Sequence, residues 1–163
     1  MDFEIIPLVP AQHLDDVVTL SLAEWDPVFK SMAEDMEEGV FNAFYPDGWR
    51  VAQEQGVRQV CTDEAVESWV AVMPDGQVAG FCALKIPDDK VMGEIWMVAT
   101  APAHQGKGIG RTLTAHATQR LKDAGCQIAM VETGGDPGHA PARATYQASG
   151  YRLWTVARYF QKL

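Results

Sequence analysis

Apolar residues near the start of the chain recur at the spacing of an amphipathic helix. They form one stripe made of Leu14, Val17, Val18, Ser21, Leu22 and Trp25. Asp26-Pro27 has the form of a cap followed by a first-turn proline, so we predict that a second helix begins at residue 27. A short strand over residues 3–7 precedes both helices. A weaker helical pattern, interrupted by Gly56, covers residues 49–60.

The middle of the chain has the pattern of β-strands. Residues 68–73 and 77–86 form a predicted hairpin, because Pro74-Asp75-Gly76 supplies a tight turn. Residues 94–100 form a predicted central strand that is largely apolar on both faces, which indicates a sheet covered on both sides. Strict alternation would place Glu94, Trp96 and Val98 on one face of this strand and Ile95, Met97 and Ala99 on the other.

The last third of the chain alternates helices and strands. We predict a helix over 109–124, a strand over 128–132, a short helix over 139–149 and one or two strands over 151–160. The resulting order is β-α-α-β-β-β-α-β-α-β. It predicts an α/β fold with a mixed central sheet of about six to seven strands flanked by helices. Because no linker or repeat interrupts the pattern, we expect a single domain over residues 1–163.

Charge is distributed unevenly along the 163 residues. The net charge is −9, with −14 over residues 1–100 and +5 over residues 101–163. This balance argues against a nucleic-acid partner, which requires clustered cations. A polyanionic ligand on the second half and a cationic one facing the first half would fit, although the acidic run at 34–38 is also typical of a solvated helix face.

Composition also bears on the compartment. No apolar run approaches the ~20 residues of a membrane span, so we expect no membrane association. The first residues are acidic, which predicts no secretory signal. Three cysteines suggest neither a metal site nor a disulfide framework. We therefore expect a cytoplasmic protein without a metal.

A glycine-rich loop, Gln105-Gly106-Lys107-Gly108-Ile109-Gly110, stands between the central strand and the next helix. Glycines at the start of a helix let free N–H groups and the helix dipole converge on an anion, most plausibly a phosphate. A P-loop would need Ser or Thr where Gly108 stands. A dinucleotide fingerprint would need glycine where Arg111 stands.

The remaining pattern, Gln105-x-x-Gly108-x-Gly110, resembles the acetyl-CoA loop of the GNAT superfamily of N-acetyltransferases, whose signature is [Gln/Arg]-x-x-Gly-x-[Gly/Ala]. Residues 139–151 are similar to a second GNAT hallmark, Asn-x-x-Ala-x-x-Leu-Tyr-x-x-x-Gly-[Phe/Tyr]. Tyr146 keeps the spacing of its tyrosine, and His139 stands where the family often has asparagine. The N-terminal hundred residues, which shape the acceptor pocket in the superfamily, match no branch.

The resemblance implies acetyl-CoA as co-substrate and assigns residues to it. The loop would hold its pyrophosphate, and the backbone of the central strand would pair with its pantetheine arm and hold the thioester oxygen. The implied cofactor-binding residues are Met97, Val98, Gln105, Gly106, Lys107, Gly108, Ile109, Gly110, Arg111 and His139. For Lys107 and Arg111, the alternative is an ordinary surface cation.

Acyl transfer to an amine poses two proton problems, and the sequence offers a candidate for each. An alkylammonium with a pKa of about 10.4 must lose a proton before it attacks, and the departing thiolate must gain one. By resemblance Tyr146 lies near the CoA sulfur and protonates it; the alternative is a packing tyrosine with its hydroxyl on a backbone carbonyl. Glu94 is the candidate base, because it lies in an apolar strand eleven residues ahead of Gln105, the spacing of the general base in the histone-acetyltransferase branch. Glu132 and His139 are the reserve candidates.

These observations predict an acetyl-CoA-dependent N-acetyltransferase that transfers the acetyl group directly to a primary amine. Cys82 and Cys126 are expected to lie inside apolar strands, which disfavours an acyl-cysteine intermediate. The amine is expected to be cationic, and it belongs either to a small molecule or to a protein or peptide. The alternative from another class is a non-catalytic acyl-CoA-binding or sensing module. A homodimer is a further expectation.

Overall fold

The computed structural model describes residues 2–163, and its centre is a five-stranded sheet in the order β1-β2-β3-β4-β5. The first four strands pair antiparallel, whereas β4 and β5 pair parallel, so the sheet is mixed as predicted. The strands are β1 Glu4–Pro7, β2 Val66–Val72, β3 Val78–Lys85, β4 Met92–Thr100 and β5 Ile128–Val131. The predicted hairpin and central strand are confirmed.

Helices cover both faces of the sheet. One buried apolar cluster joins the sheet to α1 and α3, and a second joins it to α4. The helix α5 packs against α4. The helices are α1 Pro10–Asp35, α2 Glu38–Phe44, α3 Trp49–Thr62, α4 Ile109–Asp123 and α5 Ala140–Ala148. Burial on both faces confirms that β3 and β4 lie inside a covered sheet.

The prediction that a second helix begins at residue 27 is wrong, because α1 runs through Pro27 without a break. A proline inside a helix removes one hydrogen bond and crowds the preceding turn, at a cost of about 3 kcal/mol. Val28 and Phe29 are buried directly after it, so packing of that turn against the core offsets the loss. Asp26 caps no helix and pairs instead with Arg50 on α3.

The sheet is smaller than the predicted six to seven strands, because residues 151–163 form no strand. Their apolar residues favour strand formation, but a strand also needs a neighbouring backbone, and within residues 2–163 this segment joins no ladder. The segment instead makes side-chain contacts, including an edge-to-face contact between Phe160 and Phe44 and an ion pair between Arg158 and Glu132. Most of its large apolar side chains remain exposed, namely Leu153, Trp154, Val156, Tyr159, Phe160 and Leu163.

A β-bulge in β4 overturns the predicted faces of the central strand. Ala83 of β3 faces Met97 while the next residue, Leu84, faces Ile95, so Trp96 is an extra residue without a partner. The bulge reverses the alternation. Ile95 therefore packs on the α4 side of the sheet together with Val98, whereas Met97 packs on the side of α1 and α3. Glu94, next to Ile95 in the strand, consequently points to the α1 side with Met97.

Candidate active site

The loop between β4 and α4 has the backbone of an anion-binding turn. Gly106 and Gly108 have φ values of +72° and +83°, in the left-handed region that favours glycine, and Gly108 is the N-cap of α4. A Cβ at either position would meet nothing within 4 Å, so backbone conformation, and not crowding within the chain, requires these glycines. Within residues 2–163, no N–H from Gly106 to Arg111 donates a hydrogen bond. These N–H groups are available to a ligand at the positive end of the helix dipole.

Side chains of the loop mostly hold the loop itself. Gln105 Nε2 donates to the carbonyl oxygen of Thr100 at 3.4 Å, and Lys107 Nζ donates to the carbonyl oxygen of Ala103 at 2.9 Å. Ile109 is 1% exposed and anchors the helix in the core, so only its N–H can face a ligand. Arg111 is exposed. A phosphate would thus be held mainly by backbone N–H groups.

The strand β4 extends beyond the end of β5, toward this loop. β4 pairs with β5 only from Met92 to Ile95, opposite residues 128–131. The remainder of β4 continues to Thr100 and pairs only with β3 on its other side. Met97 and Val98 are half-buried in this unpaired part. The open edge leads toward the loop at the start of α4, so an extended ligand could follow the strand and end with its phosphates at the helix.

Tyr146 lies on the second turn of α5, with its ring edge-to-face to Tyr151 at a centroid distance of 6.2 Å. Tyr151 is itself fixed by a hydrogen bond between its hydroxyl and Thr118 Oγ1 on α4, at 2.8 Å. No hydrogen bond of residues 2–163 involves the hydroxyl of Tyr146, so its attachment to a backbone carbonyl is not seen. Burial, together with the negative charge of Glu24, raises the pKa of Tyr146 to about 12. The phenol therefore holds its proton at neutral pH.

Glu94 stands opposite Lys85 of β3, in the part of β4 that is paired on both sides. It lines an open pocket of about 350 Å³ together with Lys85 and Asp88. The ammonium of Lys85 lies over the ring of Trp96, 3.6 Å from its centroid. The carboxylate is half-buried and has a cation on the adjacent strand.

The two reserve candidates differ in their surroundings. Glu132 forms an exposed ion pair with Arg158 at 2.8 Å. His139 directly precedes α5, in the 3₁₀ turn Pro137–His139, and its Nδ1 contacts the carboxylate of Asp136. Burial opposes ionisation of Asp136, but the hydrogen bond and charge of His139 hold the pKa of Asp136 below its ordinary value. The structure thus shows an acid–histidine pair at the start of α5 that the sequence pattern did not indicate.

Glu24, on α1, is a further candidate that was not predicted from the sequence. Its carboxylate oxygen Oε2 is buried and has no hydrogen-bond partner within residues 2–163. Within the same residues, no Lys, Arg or His nitrogen lies within 4.0 Å of its carboxylate. Burial raises the pKa of Glu24 from 4.5 to about 7. A signal was present, since Glu24 follows the buried Val17 by seven residues and precedes the buried Val28 by four, on the apolar face of the helix.

Two negative observations apply to the described chain. Among residues 2–163, no three His, Cys, Asp or Glu side chains cluster in a way that could hold a metal ion. Over the same range, no helix has both the length and the hydropathy needed to cross a bilayer.

A mixed sheet with helices on both faces, in which β4 extends beyond β5 toward a glycine-capped helix, defines an α/β protein with a candidate site for an anionic ligand. The model of the acetyltransferase (GNAT) family matches residues 25–151, well over half of the chain. The protein belongs to this family. It is similar to the mycothiol acetyltransferase of Sanguibacter keddieii, with 35% identity over 94 residues, which make up 55% of this chain and 29% of that relative. The chain thus spans less than a third of that relative's length.

Solved structures share the fold across nearly the whole chain. The PaiA N-acetyltransferase of Thermoplasma acidophilum, in complex with coenzyme A, superposes with a TM-score of 0.68 at 17% identity, covering 96% of this chain and 94% of that one. AAC(6′)-Iy, in complex with the bisubstrate analogue CoA-S-monomethyl-acetylneamine, gives a TM-score of 0.67 at 17% identity, covering 100% and 99%. At these identities the likeness shows the fold.

Proposed function

We propose that this protein is an acetyl-CoA-dependent N-acetyltransferase that transfers the acetyl group directly to a primary amine. The observation that carries the proposal is the unpaired edge of β4, which leads to free N–H groups at the start of α4. An extended pantetheine arm would pair with the strand and the pyrophosphate would lie on the helix N-terminus. The coenzyme A and the CoA analogue named for the two structural neighbours support this choice of donor.

The residues present fit direct transfer. The thiols of Cys61 and Cys82 are buried, and burial raises their pKa values to about 11 and about 12, so neither is poised to carry an acetyl group. Cys126 is not in a strand, as the sequence suggested, but in the turn before β5. In this mechanism the neutral amine attacks the thioester carbon, Met97 and Val98 hold the oxygen through backbone N–H groups, and Tyr146 protonates the departing sulfur.

The acceptor we propose is a small cationic amine. The names of the relatives, mycothiol acetyltransferase among them and an acetylneamine analogue bound to AAC(6′)-Iy, favour a small molecule over a protein lysine. The acidic N-terminal hundred residues favour a cation. A cytoplasmic location, a single domain over residues 1–163 and a homodimer stay predictions.

Two measurements test the proposal. Calorimetry with acetyl-CoA should show binding, and the same protein should release free thiol when a panel of primary alkylamines is added, with the acetylated amine identified by mass spectrometry. Binding without thiol release from any amine would favour the acyl-CoA-sensing alternative. Absence of acetyl-CoA binding would contradict both readings.

A further inference from the structure

One face of α1 is turned toward the loop that leads into α5. Glu24, Val28 and Ser31 follow one another at intervals of four and three residues, so they lie on the same side of the helix. The N–H of Gly138 donates to Ser31 Oγ at 3.1 Å, and a Cβ on Gly138 would lie 3.0 Å from the Cα of Val28. The start of α5 is therefore packed directly on this face of α1.

This packing brings α5, which carries Tyr146, next to the face of α1 that carries Glu24. The charge of Glu24 contributes to the raised pKa of Tyr146, which requires the carboxylate to lie within electrostatic reach of the phenol. The Tyr146 hydroxyl and the buried oxygen of Glu24 both lack a hydrogen-bond partner among residues 2–163. An unpaired carboxylate can accept a proton from a ligand, and an unpaired phenol can donate one.

We propose that Glu24 receives the ammonium group of a cationic alkylamine and takes the proton that must leave before the nitrogen attacks. This assignment rests on the proposed acetyltransferase function and deepens it. A buried carboxylate oxygen without a partner is costly, and an ammonium supplies both a counter-charge and hydrogen-bond donors. The acceptor is thereby restricted to amines that arrive protonated, as primary alkylamines do.

Glu24 and Tyr146 together account for every proton that moves in the proposed reaction. The ammonium gives one proton to Glu24, and the neutral nitrogen forms a bond to the thioester carbon. As the carbon–sulfur bond breaks, Tyr146 gives its proton to the sulfur, and the second proton of the attacking nitrogen restores the phenol. Glu24 then returns its proton to solvent, so each turnover releases coenzyme A, the acetamide and one proton.

Protonation of Glu24 would also prepare Tyr146 for its task. The negative charge on Glu24 opposes the loss of the phenol proton. Once Glu24 has taken the ammonium proton, that repulsion disappears and Tyr146 becomes a stronger acid as the thiolate departs. The two environments thus suit different roles. With a pKa near 7 Glu24 can act as the base, and with a pKa near 12 Tyr146 keeps the proton that it gives as the acid.

Glu94 is less well placed for the same proton. It lies opposite Lys85 and shares its pocket with that cation. An incoming ammonium would meet a like charge there, whereas no cation lies within 4.0 Å of Glu24 in the described chain. The charge that acts on Tyr146 is also that of Glu24.

A pair of matched acceptors separates this role from a merely structural one. Benzylamine is protonated at pH 7, whereas p-toluidine has nearly the same size and is already neutral. Glu24→Gln keeps the shape of the side chain and removes its basicity. We expect kcat/KM for benzylamine, measured by thiol release, to fall about 100-fold at pH 7 while that for p-toluidine changes less than about threefold. The acidic limb near pH 7 should be lost in the variant, whose rate should instead keep rising toward the pKa of the free amine, because only the neutral amine can then attack.

A control variant and a binding measurement distinguish a catalytic role of Glu24 from an effect on folding. Glu34→Gln changes an exposed glutamate of the same helix and should leave both acceptors unaffected. Acetyl-CoA binding by calorimetry shows that Glu24→Gln is folded. Equal losses with both amines would make Glu24 structural, and an acidic limb lost in Glu94→Gln but kept in Glu24→Gln would move the base to Glu94. A wild type that acetylates alkylamines together with an equally active Glu24→Gln variant would contradict this assignment alone, whereas a wild type that does not bind acetyl-CoA, or binds it and acetylates no amine, would contradict the proposed function itself.

Discussion

Replacing Glu24 by glutamine should make the folded protein more stable at alkaline pH. One carboxylate oxygen of Glu24 is buried, no cation lies within 4.0 Å of it in the described chain, and burial raises the pKa of Glu24 from 4.5 to about 7. A carboxyl whose pKa is raised by folding keeps its proton in the folded state, while the unfolded chain has already lost it. Its favourable contribution is complete below pH 4.5 and is lost as the pH rises through about 7. Glutamine stays neutral throughout and escapes this loss.

The size of the effect follows from the two pKa values. The rise in the pKa of Glu24 from 4.5 to about 7 lowers the free energy of unfolding of the wild type by about 3 kcal/mol at pH 8, because each pKa unit corresponds to about 1.4 kcal/mol. At pH 5 the unfolded chain is only partly ionised and the same calculation gives about 1 kcal/mol. For a chain of this length, the gain at pH 8 corresponds to a rise in Tm of about 6–12 °C.

Urea unfolding of the wild type and Glu24→Gln at pH 5 and pH 8 measures the difference directly. The free energy of unfolding of the variant should exceed that of the wild type by clearly more at pH 8 than at pH 5. Glu34→Gln, exposed on the same helix, should show no such pH dependence. A gain that is equal at both values of pH, or a variant less stable than the wild type at pH 8, would show that Glu24 is hydrated or paired and would refute the reasoning. Higher stability combined with lower activity is the trade expected of a strained functional residue.

Two further predictions concern the donor. Gly108→Asp adds a negative charge and a Cβ at a φ of +83°, so acetyl-CoA affinity measured by calorimetry should be lost while the fold survives; Gly76→Asp, at a φ of +87° in the β2–β3 turn, carries the same strain and should still bind. Unchanged affinity in a folded Gly108→Asp would contradict the pyrophosphate assignment. Tyr146→Phe keeps the ring and removes the proton, so kcat should fall about 100-fold with acetyl-CoA affinity kept, whereas Tyr159→Phe, exposed at the surface, should leave kcat unchanged. Full activity of Tyr146→Phe would mean that solvent protonates the sulfur.

Sequence patterns predicted the elements from the β2–β3 hairpin to α4 because each of these elements is determined by residues adjacent in sequence. The turn Pro74-Asp75-Gly76, the apolar central strand and the helix that begins after Gly108 each depend on residues adjacent in sequence. The same patterns gave wrong predictions where contacts with residues distant in sequence determine the structure. Packing of Val28 and Phe29 carries α1 through Pro27, and the segment after Tyr151 lacks the neighbouring strand that its composition would suit.

The bulge at Trp96 changes the expected surroundings of Glu94, the base predicted from the sequence. Strict alternation grouped Glu94 with Trp96 and Val98 in an apolar environment, and that environment was part of the argument for a base. With one extra residue in β4, Glu94 points to the α1 side instead, where the face also carries Lys85. A bulge is specified by the pairing of two strands and has no signature in the sequence of β4 alone.

Glu24 could be recognised as a candidate base only from the tertiary structure. On α1 alone, Glu24 is one acidic residue among many, and its position in the apolar stripe could equally mark the edge of a solvated face. In the folded chain the N–H of Gly138 donates to Ser31 on α1, one carboxylate oxygen of Glu24 is buried without a partner within residues 2–163, and the charge of Glu24 acts on Tyr146. The acid comes from a recognisable motif near the end of the chain and the base from an unremarked helix near its start. Neither the burial of the Glu24 carboxylate nor its effect on Tyr146 follows from local sequence, because the two residues lie far apart in the chain and only the packing of the loop before α5 on α1 relates them.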